Sequence, residues 1–433
     1  MSLFTNIFKR KSSARTKASG SVLVDNIDSN SFLFYALAGG SDLTPFQTAS
    51  FYQNSSAVAT SIDMIADEIE QIEPYLIDNN GDMSNDSEVI KLIKNPNPLD
   101  DRRSFIGKLA RDWLLNHNSF VFAVGNTKRL PLELWSIKPQ LVNPMESHDL
   151  YTKYYTVTEG LGARNYYREE LGKQWRYIGN NLSELYHIMG YSSSRNNIWG
   201  DSPLQAAALE VRQQLSGKRH NLALLNNGGR LSLVAIFKDT MDSKQHKDRK
   251  AKLTDEIGGS GNAGKIAVIS SEDLELKEMG VNNKDMDYAN LDAMAEASIY
   301  KRYKIPLPLV TTEASTYNNV ENAKFDLYDR TVLPTFQILM DGLSQLLLPR
   351  VGINPEDQKL TFNPEQISAL KGRMLDELKI RKEINVETPN ELRQFLPGRK
   401  DIEGGDSVYV PATLVPLGKD MLSDEAAINN RQG

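Results

Sequence analysis

The chain has 433 residues, 40% of them hydrophobic and 24% charged, with a net charge of −6 at pH 7. That length supports two to four domains with their own buried cores. The complete lack of cysteine excludes disulfides and thiolate metal sites and fits assembly in a reducing cytoplasm. The acidic balance speaks against a protein that grips nucleic acid through its phosphates.

The first segment reads Ser2-Leu3-Phe4-Thr5-Asn6-Ile7-Phe8-Lys9-Arg10-Lys11, then Arg15 and Lys17. Apolar residues precede the basic ones, the reverse of a signal peptide. Residues 1–30 therefore read as a disordered basic arm, and no later run reaches the ~18 apolar residues of a membrane helix. Val58, Ile62, Ile65, Ile69 and Ile72 predict a helix over about 50–73, ended by Pro74. Tyr75–Ile77 reads as a short strand before an Asn79-Asn80-Gly81 turn. A helix over Glu88–Lys94 must stop at Asn95-Pro96-Asn97-Pro98. The next, Ser104–Asn116, carries Phe105, Leu109 and Trp113 on one face, with Ser104 as the expected N-cap.

Residues 119–190 read as a β-meander. Ser119–Val124 is a buried strand, and Leu132–Ile137 alternates. Eight tyrosines lie between Tyr151 and Tyr191. Aromatics suit half-buried sheet faces, which explains them better than stacking on nucleic-acid bases does.

The pattern changes at Gly200. Asp201-Ser202-Pro203-Leu204 opens a helix running to about Asn227, stopped by Gly228-Gly229. A strand at Leu231–Phe237 follows, then a charged helix over about 243–257, a glycine-rich loop and a strand at Lys265–Ile269. A second long helix covers about 285–303. A small αβ module (230–281) is thus flanked by two long helices that can pair antiparallel. A polar loop, Thr311–Asn319, leads into a helix over about 320–348, in which Pro334 should produce a kink. A strand at 360–362, helices at about 364–382 and 388–395, and a Gly404-Gly405-Asp406 turn complete the chain.

Gly259-Ser260-Gly261-Asn262-Ala263-Gly264-Lys265 imitates a phosphate-binding loop. Such loops need a strand before the glycines and a helix after them, because the helix N-terminus holds the phosphate. Here the expected order is reversed, and Ile266 stands where a magnesium-binding Ser or Thr is required. His117, His148, His187, His220 and His246 are scattered without metal-ligand spacing. No nucleophile elbow or paired carboxylates stand out. No catalytic residue, metal or cofactor is expected.

Several segments together resemble the portal proteins of tailed double-stranded-DNA phages and gene transfer agents. These are the helix around Ser61–Ile69 followed by Pro74, and Leu92-Ile93-Lys94-Asn95-Pro96-Asn97-Pro98. Next come Leu134, Ile137, Pro139, Val142 and Pro144, then Gly200-Asp201-Ser202-Pro203-Leu204. Tyr303-Lys304-Ile305-Pro306 leads to Tyr317-Asn318-Asn319-Val320-Glu321, Phe325 and Leu333-Pro334. Asn385–Arg393 and Gly404-Gly405-Asp406 close the series. Pro308-Leu309-Val310-Thr311 departs from the family in lacking a glycine.

The resemblance implies an α+β portal fold: wing (31–200), helical stem (201–229 and 282–305), small αβ clip (230–281), tunnel loop (306–319), kinked tunnel helix with wing return (320–360), helical crown (361–410) and tail (411–433). It implies a structural ring, usually of twelve copies, at a capsid vertex of the virion, conducting double-stranded DNA during packaging and ejection. Implied partners are the large terminase subunit, a head–tail adaptor and the major capsid protein, with no membrane. Thr311, Thr312, Glu313, Ala314, Ser315, Thr316, Tyr317, Asn318 and Asn319 would face DNA. Their hydroxyls and amides, with one acid and no base, suit passing contact. Lys218, Arg219 and Arg230 would face the channel or, preferably, pair with a neighbouring subunit. Lys244, Lys247, Arg249, Lys250 and Lys252 would form a docking face for partners, although a solvated charged face explains them equally well. Two alternatives are another oligomeric head–tail structural protein and a nucleotide-binding enzyme using 258–265.

Overall fold

The computed structural model describes residues 43–125, 128–146, 152–159, 162–171, 174–180, 183–193, 198–226, 233–237, 274–278, 288–311, 317–384, 387–394 and 401–407. Two compact units are distinguished, Met1–Asp42 and Leu43–Gly433. The first, with the basic arm, lies outside the described residues, all of which belong to the second.

Helix α1 (Pro45–Asn54) opens with a capping box in which Thr44 and Gln47 satisfy each other's backbone N–H groups. Helix α2 (Ser56–Gln71) follows almost at once. The single helix expected over 50–73 is therefore two. Ser55 takes extended geometry between them and caps α2 through the Val58 N–H. The apolar spacing read from the sequence holds: Val58, Ile62, Ile65 and Ile69 are fully buried.

Strand β1 (Pro74–Asp78) turns into β2 (Met83–Ser84). Helix α3 (Glu88–Lys94) ends at the proline pair as expected. Helix α4 (Arg102–Asn116) is capped by Asp101, whose carboxylate accepts the Ser104 N–H at 2.8 Å. Ser104 is thus inside the helix rather than its cap. Its hydroxyl donates instead to Asp100 at 2.9 Å.

The meander forms a seven-stranded antiparallel sheet. Its strands are β3 (Asn118–Val124), β4 (Glu133–Ile137), β5 (Val142–Glu146), β6 (Thr152–Glu159), β7 (Gly162–Leu171), β8 (Gln174–Asn180) and β9 (Ser183–Met189). They lie in the order β4-β3-β9-β8-β7-β6-β5. Strand β3 is buried on both faces because successive side chains point oppositely. Val121 and Ala123 join the main helical core. Phe120 joins a second core with Val142, Tyr155, Val157, Tyr166 and Leu185. Tyr155 and Tyr166 are therefore sheet-packing residues.

Helix α5 (Ala208–Asn226) and helix α6 (Tyr288–Arg302) flank a hairpin of β10 (Leu233–Phe237) and β11 (Leu274–Glu278) in sequence. The strand expected at 265–269 and the helix at 243–257 lie outside the described residues. The partner of β10 is 274–278.

Helix α7 (Tyr317–Leu327), a π-turn (Tyr328–Val332) and helix α8 (Leu333–Leu347) follow without a break. Phe336, Leu339, Met340, Leu343 and Leu347 of α8 fill the main core against α2 and α4. Strand β12 (Gln358–Phe362) returns beside β1. Its Leu360 N–H donates to Ser344 Oγ of α8 at 2.9 Å. Helices α9 (Ser368–Ile384) and α10 (Pro389–Gln394) complete the described chain, apart from a turn at 403–406.

Candidate functional site

The two long helices meet along their length. Pro203 opens a short 3-10 turn (Pro203–Gln205), and the long helix starts only at Ala208, later than the expected start at 201. Ser202 fixes that turn: its hydroxyl donates to Leu115 O at 2.6 Å and accepts the Leu204 N–H at 3.1 Å. Helix α6 then runs antiparallel to α5. Arg302 Nε donates to Pro203 O at 2.7 Å, and Gln214 donates to Glu296 at 3.0 Å. Lys218 Nζ lies 3.7 Å from both Asp292 and Glu296. Ser55 Oγ donates to Gln214 Oε1 at 2.8 Å, tying the pair to the start of α2.

The far end of α6 is closed by a left-handed residue. Lys304 has φ +55°, and the Ile305 N–H reaches back to Tyr300 O at 2.9 Å. This is a Schellman ending, with buried Ile305 as its apolar clasp. A side chain at positive φ costs energy that glycine avoids. Lys304→Gly is therefore expected to stabilise the fold by about 1 kcal/mol, read as a higher denaturant midpoint. An unchanged or lower midpoint would contradict the assignment.

From Ile305-Pro306 the chain makes a 3-10 turn at Leu307–Leu309 and reaches exposed Thr311, whose hydroxyl donates to Leu307 O at 3.0 Å. After α7 comes the π-turn. Pro334 has no N–H for the Arg330 carbonyl, and its ring crowds that oxygen. The chain accommodates it by widening the turn ahead of it: the Leu333 N–H donates to Tyr328 O, five residues back. Tyr328 OH donates to Glu68 Oε2 of α2 at 2.6 Å. Thr331 Oγ1 donates to Tyr303 O at 3.3 Å, and Tyr303 OH to Leu114 O at 3.0 Å. The π-turn, the end of α6 and helices α2 and α4 thus form one junction.

The glycine of Gly200-Asp201-Ser202-Pro203-Leu204 has a steric cause. A Cβ there would collide with the His117 carbonyl oxygen and stand 3.1 Å from Gly190 N. Asn118 clamps the same residue: its Oδ1 accepts the Gly200 N–H at 2.8 Å, and its Nδ2 donates to Gly200 O at 2.8 Å. Backbone cannot yield as a flexible side chain can, so Gly200→Ala should cost about 2 kcal/mol, measured by denaturant unfolding. Asn95-Pro96-Asn97-Pro98 has an equally local role. The Leu134 N–H donates to Pro96 O at 2.7 Å, and Asn97 Nδ2 to Leu134 O at 2.8 Å. Two of the sequence motifs therefore hold each other.

Two buried polar clusters surround this frame. His187 Nε2 lies 2.9 Å from Asn118 Oδ1, and Tyr155 OH lies 2.7 Å from His187 Nδ1. Asn118 Oδ1 only accepts, so Nε2 carries the proton and Nδ1 accepts from Tyr155. The ring stacks on Phe120 at 4.2 Å. Burial pushes the His187 pKa down to about 3, so it is neutral near pH 7. In the second cluster Glu184 of β9 meets Arg350, which follows α8, in a short ion pair, with Arg176 of β8 at 3.6 Å. All three side chains are almost fully buried. Burial raises the Glu184 pKa against the pull of Arg350 and Arg176, and it lowers Arg350 to about 10 against the pull of Glu184. Neither cluster was legible in the sequence. Glu184 and Arg350 are separated by 166 positions, and no local pattern marks them. Asp112 was also missed. Burial raises it to about 7, opposed by Lys138 and by Ser136 Oγ at 3.5 Å.

The residues expected at the site fall as follows. Thr311 is exposed at the start of the loop, and Thr312, Glu313, Ala314, Ser315 and Thr316 lie outside the described residues. Tyr317, Asn318 and Asn319 belong to the first turn of α7, so the loop ends earlier than expected. Lys218 lies within ion-pair distance of two carboxylates of its own chain, and its expected role toward the channel or a neighbouring subunit is not tested by a single chain. The antiparallel register brings it opposite Asp292 and Glu296, one helical turn apart. Arg219 is exposed. Arg230, Lys244, Lys247, Arg249, Lys250 and Lys252 lie outside the described residues, as does 258–265. Among the described residues no cluster suited to a metal occurs, and no helix is long and apolar enough to cross a membrane.

Residues 56–396 match the sequence model of the family described as phage portal protein. The chain belongs to that family. Phage portal proteins are structural proteins, not enzymes, and they reside in the virion or particle. This portal protein is 25% identical over 362 residues to an uncharacterized protein of Rickettsia bellii (strain RML369-C), covering 82% of this chain and 90% of that protein. An uncharacterized protein of Rickettsia felis (strain ATCC VR-1525 / URRWXCal2) is 26% identical over 360 residues, with 82% and 89% covered. Among solved structures, a chain in the neck of an empty gene-transfer-agent particle, computed with C6 symmetry, superposes with TM-score 0.59 at 22% identity. The match covers 84% of this chain and 98% of that one. A crystal structure of an HK97-family portal protein from Corynebacterium diphtheriae gives TM-score 0.51 at 11% identity, with 76% and 96% covered. The α+β architecture is that of portal proteins.

Proposed function

We propose that this portal protein assembles as a closed ring at one vertex of a tailed-phage or gene-transfer-agent particle, and that double-stranded DNA enters and leaves through it. The observation that carries this is the antiparallel α5–α6 pair with the β10–β11 strand pair inserted between its helices, in a chain of this family. Similar chains occur in particle necks computed with C6 and with C12 symmetry, which favours twelve copies. In this reading α5 and α6 are the stem, 230–281 the clip and 31–200 the wing. Residues 306–319 lead the tunnel loop toward DNA, α7 and α8 form the tunnel helix, and 361–410 the crown. The clip, with Lys244, Lys247, Arg249, Lys250 and Lys252, faces the terminase motor and later the head–tail adaptor. The wing meets the major capsid protein.

DNA carries one negative charge per about 1.7 Å of axis. An acidic chain, with Lys218 already neutralised by Asp292 and Glu296, is suited to letting it slide. Sedimentation of the purified full chain with a short duplex tests the conduit directly. The expected result is a large closed assembly that retains little DNA at physiological salt. Tight duplex binding with a steep salt dependence would contradict it.

A further inference from the structure

Helix α9 stands largely in solvent. Of its side chains only Leu370 is buried, Met374 packs at the edge of the main core, and Arg373 lies 3.8 Å over the Phe325 ring of α7. Beyond this root both flanks of the helix are open. At about 100° per residue, Lys371, Leu375, Lys379 and Lys382 share one flank. Asp376, Ile380, Glu383 and Ile384 share another, roughly 130° away around the helix. Leu375, Ile380 and Ile384 are 57%, 56% and 61% exposed. Apart from Arg373, which falls on the second flank but is engaged over Phe325, each flank is thus an exposed aliphatic centre bordered by charges of one sign, lysines on the first and carboxylates on the second.

These two flanks fit each other and not themselves. A two-fold contact through either flank would set like charges together, whereas a head-to-tail contact sets lysines against carboxylates and can close into a ring. Part of this charge is already paired inside the helix: Lys379 with Asp376 at 3.0 Å, both about 70% exposed. Exposed pairs contribute little, so they exchange readily for contacts to another chain.

We infer that the lysine flank of α9 docks on the carboxylate flank of α9 in a second copy of this chain, with Leu375 seated between Ile380 and Ile384 of the neighbour. The inference rests on the ring reading above and names the crown contact within it.

The chain has no cysteine, so introduced pairs report cleanly. Leu375→Cys combined with Ile380→Cys in the full chain, once oxidised, should give a ladder of covalent multimers up to the closed ring. Each single variant should give less than a tenth of that product. Adding Lys379→Glu and Lys382→Glu should reduce the ladder at least tenfold. Adding Asp376→Lys and Glu383→Lys as well should restore it, because the flanks are then exchanged but complementary. Efficient dimers from Leu375→Cys alone would overturn the head-to-tail contact. So would rings seen by electron microscopy without any ladder, which would mean that another segment, such as 408–433, covers the helix. A chain that forms no rings at all would instead bring down the ring reading beneath it.

Discussion

Glu184→Gln is expected to lower the unfolding free energy by about 3–5 kcal/mol, the largest single effect predicted for this fold. The amide keeps the shape of the carboxylate but leaves Arg350 and Arg176 as two buried guanidiniums without an anion between them. Desolvated charge of that kind costs far more than a surface pair. The directions of the pKa shifts agree: burial works against ionisation of both Glu184 and Arg350 even while they attract each other. The intact cluster is therefore a device that fixes how α8 seats against β8 and β9, and it adds little net stability. It follows that replacing all three residues together by methionine should recover most of the loss. Denaturant unfolding of the single and triple variants checks this. Additive losses, with the triple variant weaker than Glu184→Gln, would contradict it.

Acidification should loosen the same region through His187. Its pKa in the folded chain is about 3, against an ordinary value of 6.5, because burial penalises the imidazolium. Between those values the unfolded chain binds a proton that the folded chain refuses, so stability falls as pH drops from 6.5 toward 3. A tenfold difference in proton affinity corresponds to about 1.4 kcal/mol. Some water reaches the residue, so the loss across this window is on the order of 3 kcal/mol. Protonation would also force a donor onto Nδ1, where Tyr155 OH now donates. His187→Gln keeps a polar side chain without the titration. It should flatten the pH dependence between 6.5 and 3, although it weakens the fold at pH 7. A pH profile that is unchanged in His187→Gln would exclude this residue as the source.

Local signals carried much of the fold. The step of four and three through Val58, Ile62, Ile65 and Ile69 buries the face it marked. The proline pair after Lys94 ends α3 where it must. The Gly200 motif was recognisable as a pattern, but the reason for its glycine is the His117 carbonyl, 83 positions earlier, and no local reading reaches that. Ser55 was missed because the apolar spacing of α2 invites the eye to continue backward into α1. Asp101 and Ser104 are equally good caps by type, and only the backbone geometry chooses between them. Pro334 announced an irregular helix, yet a widened turn in front of the proline is one of several ways to absorb a missing N–H. The partner of β10 was not read from the sequence, because Leu274 and Leu276 alternate quietly with charged residues. Of the candidate site, the helix pair was readable from two long helices around a small module. The partners of Lys218 were not, since register between distant helices is a tertiary property.

The most direct measurement is a class-averaged electron image of the purified full chain at a resolution that resolves helices. The account predicts closed rings with an open centre, in which each subunit contributes α5 and α6 side by side to a common shaft. Particles that remain single chains at high concentration, or rings in which those two helices lie apart, would contradict it.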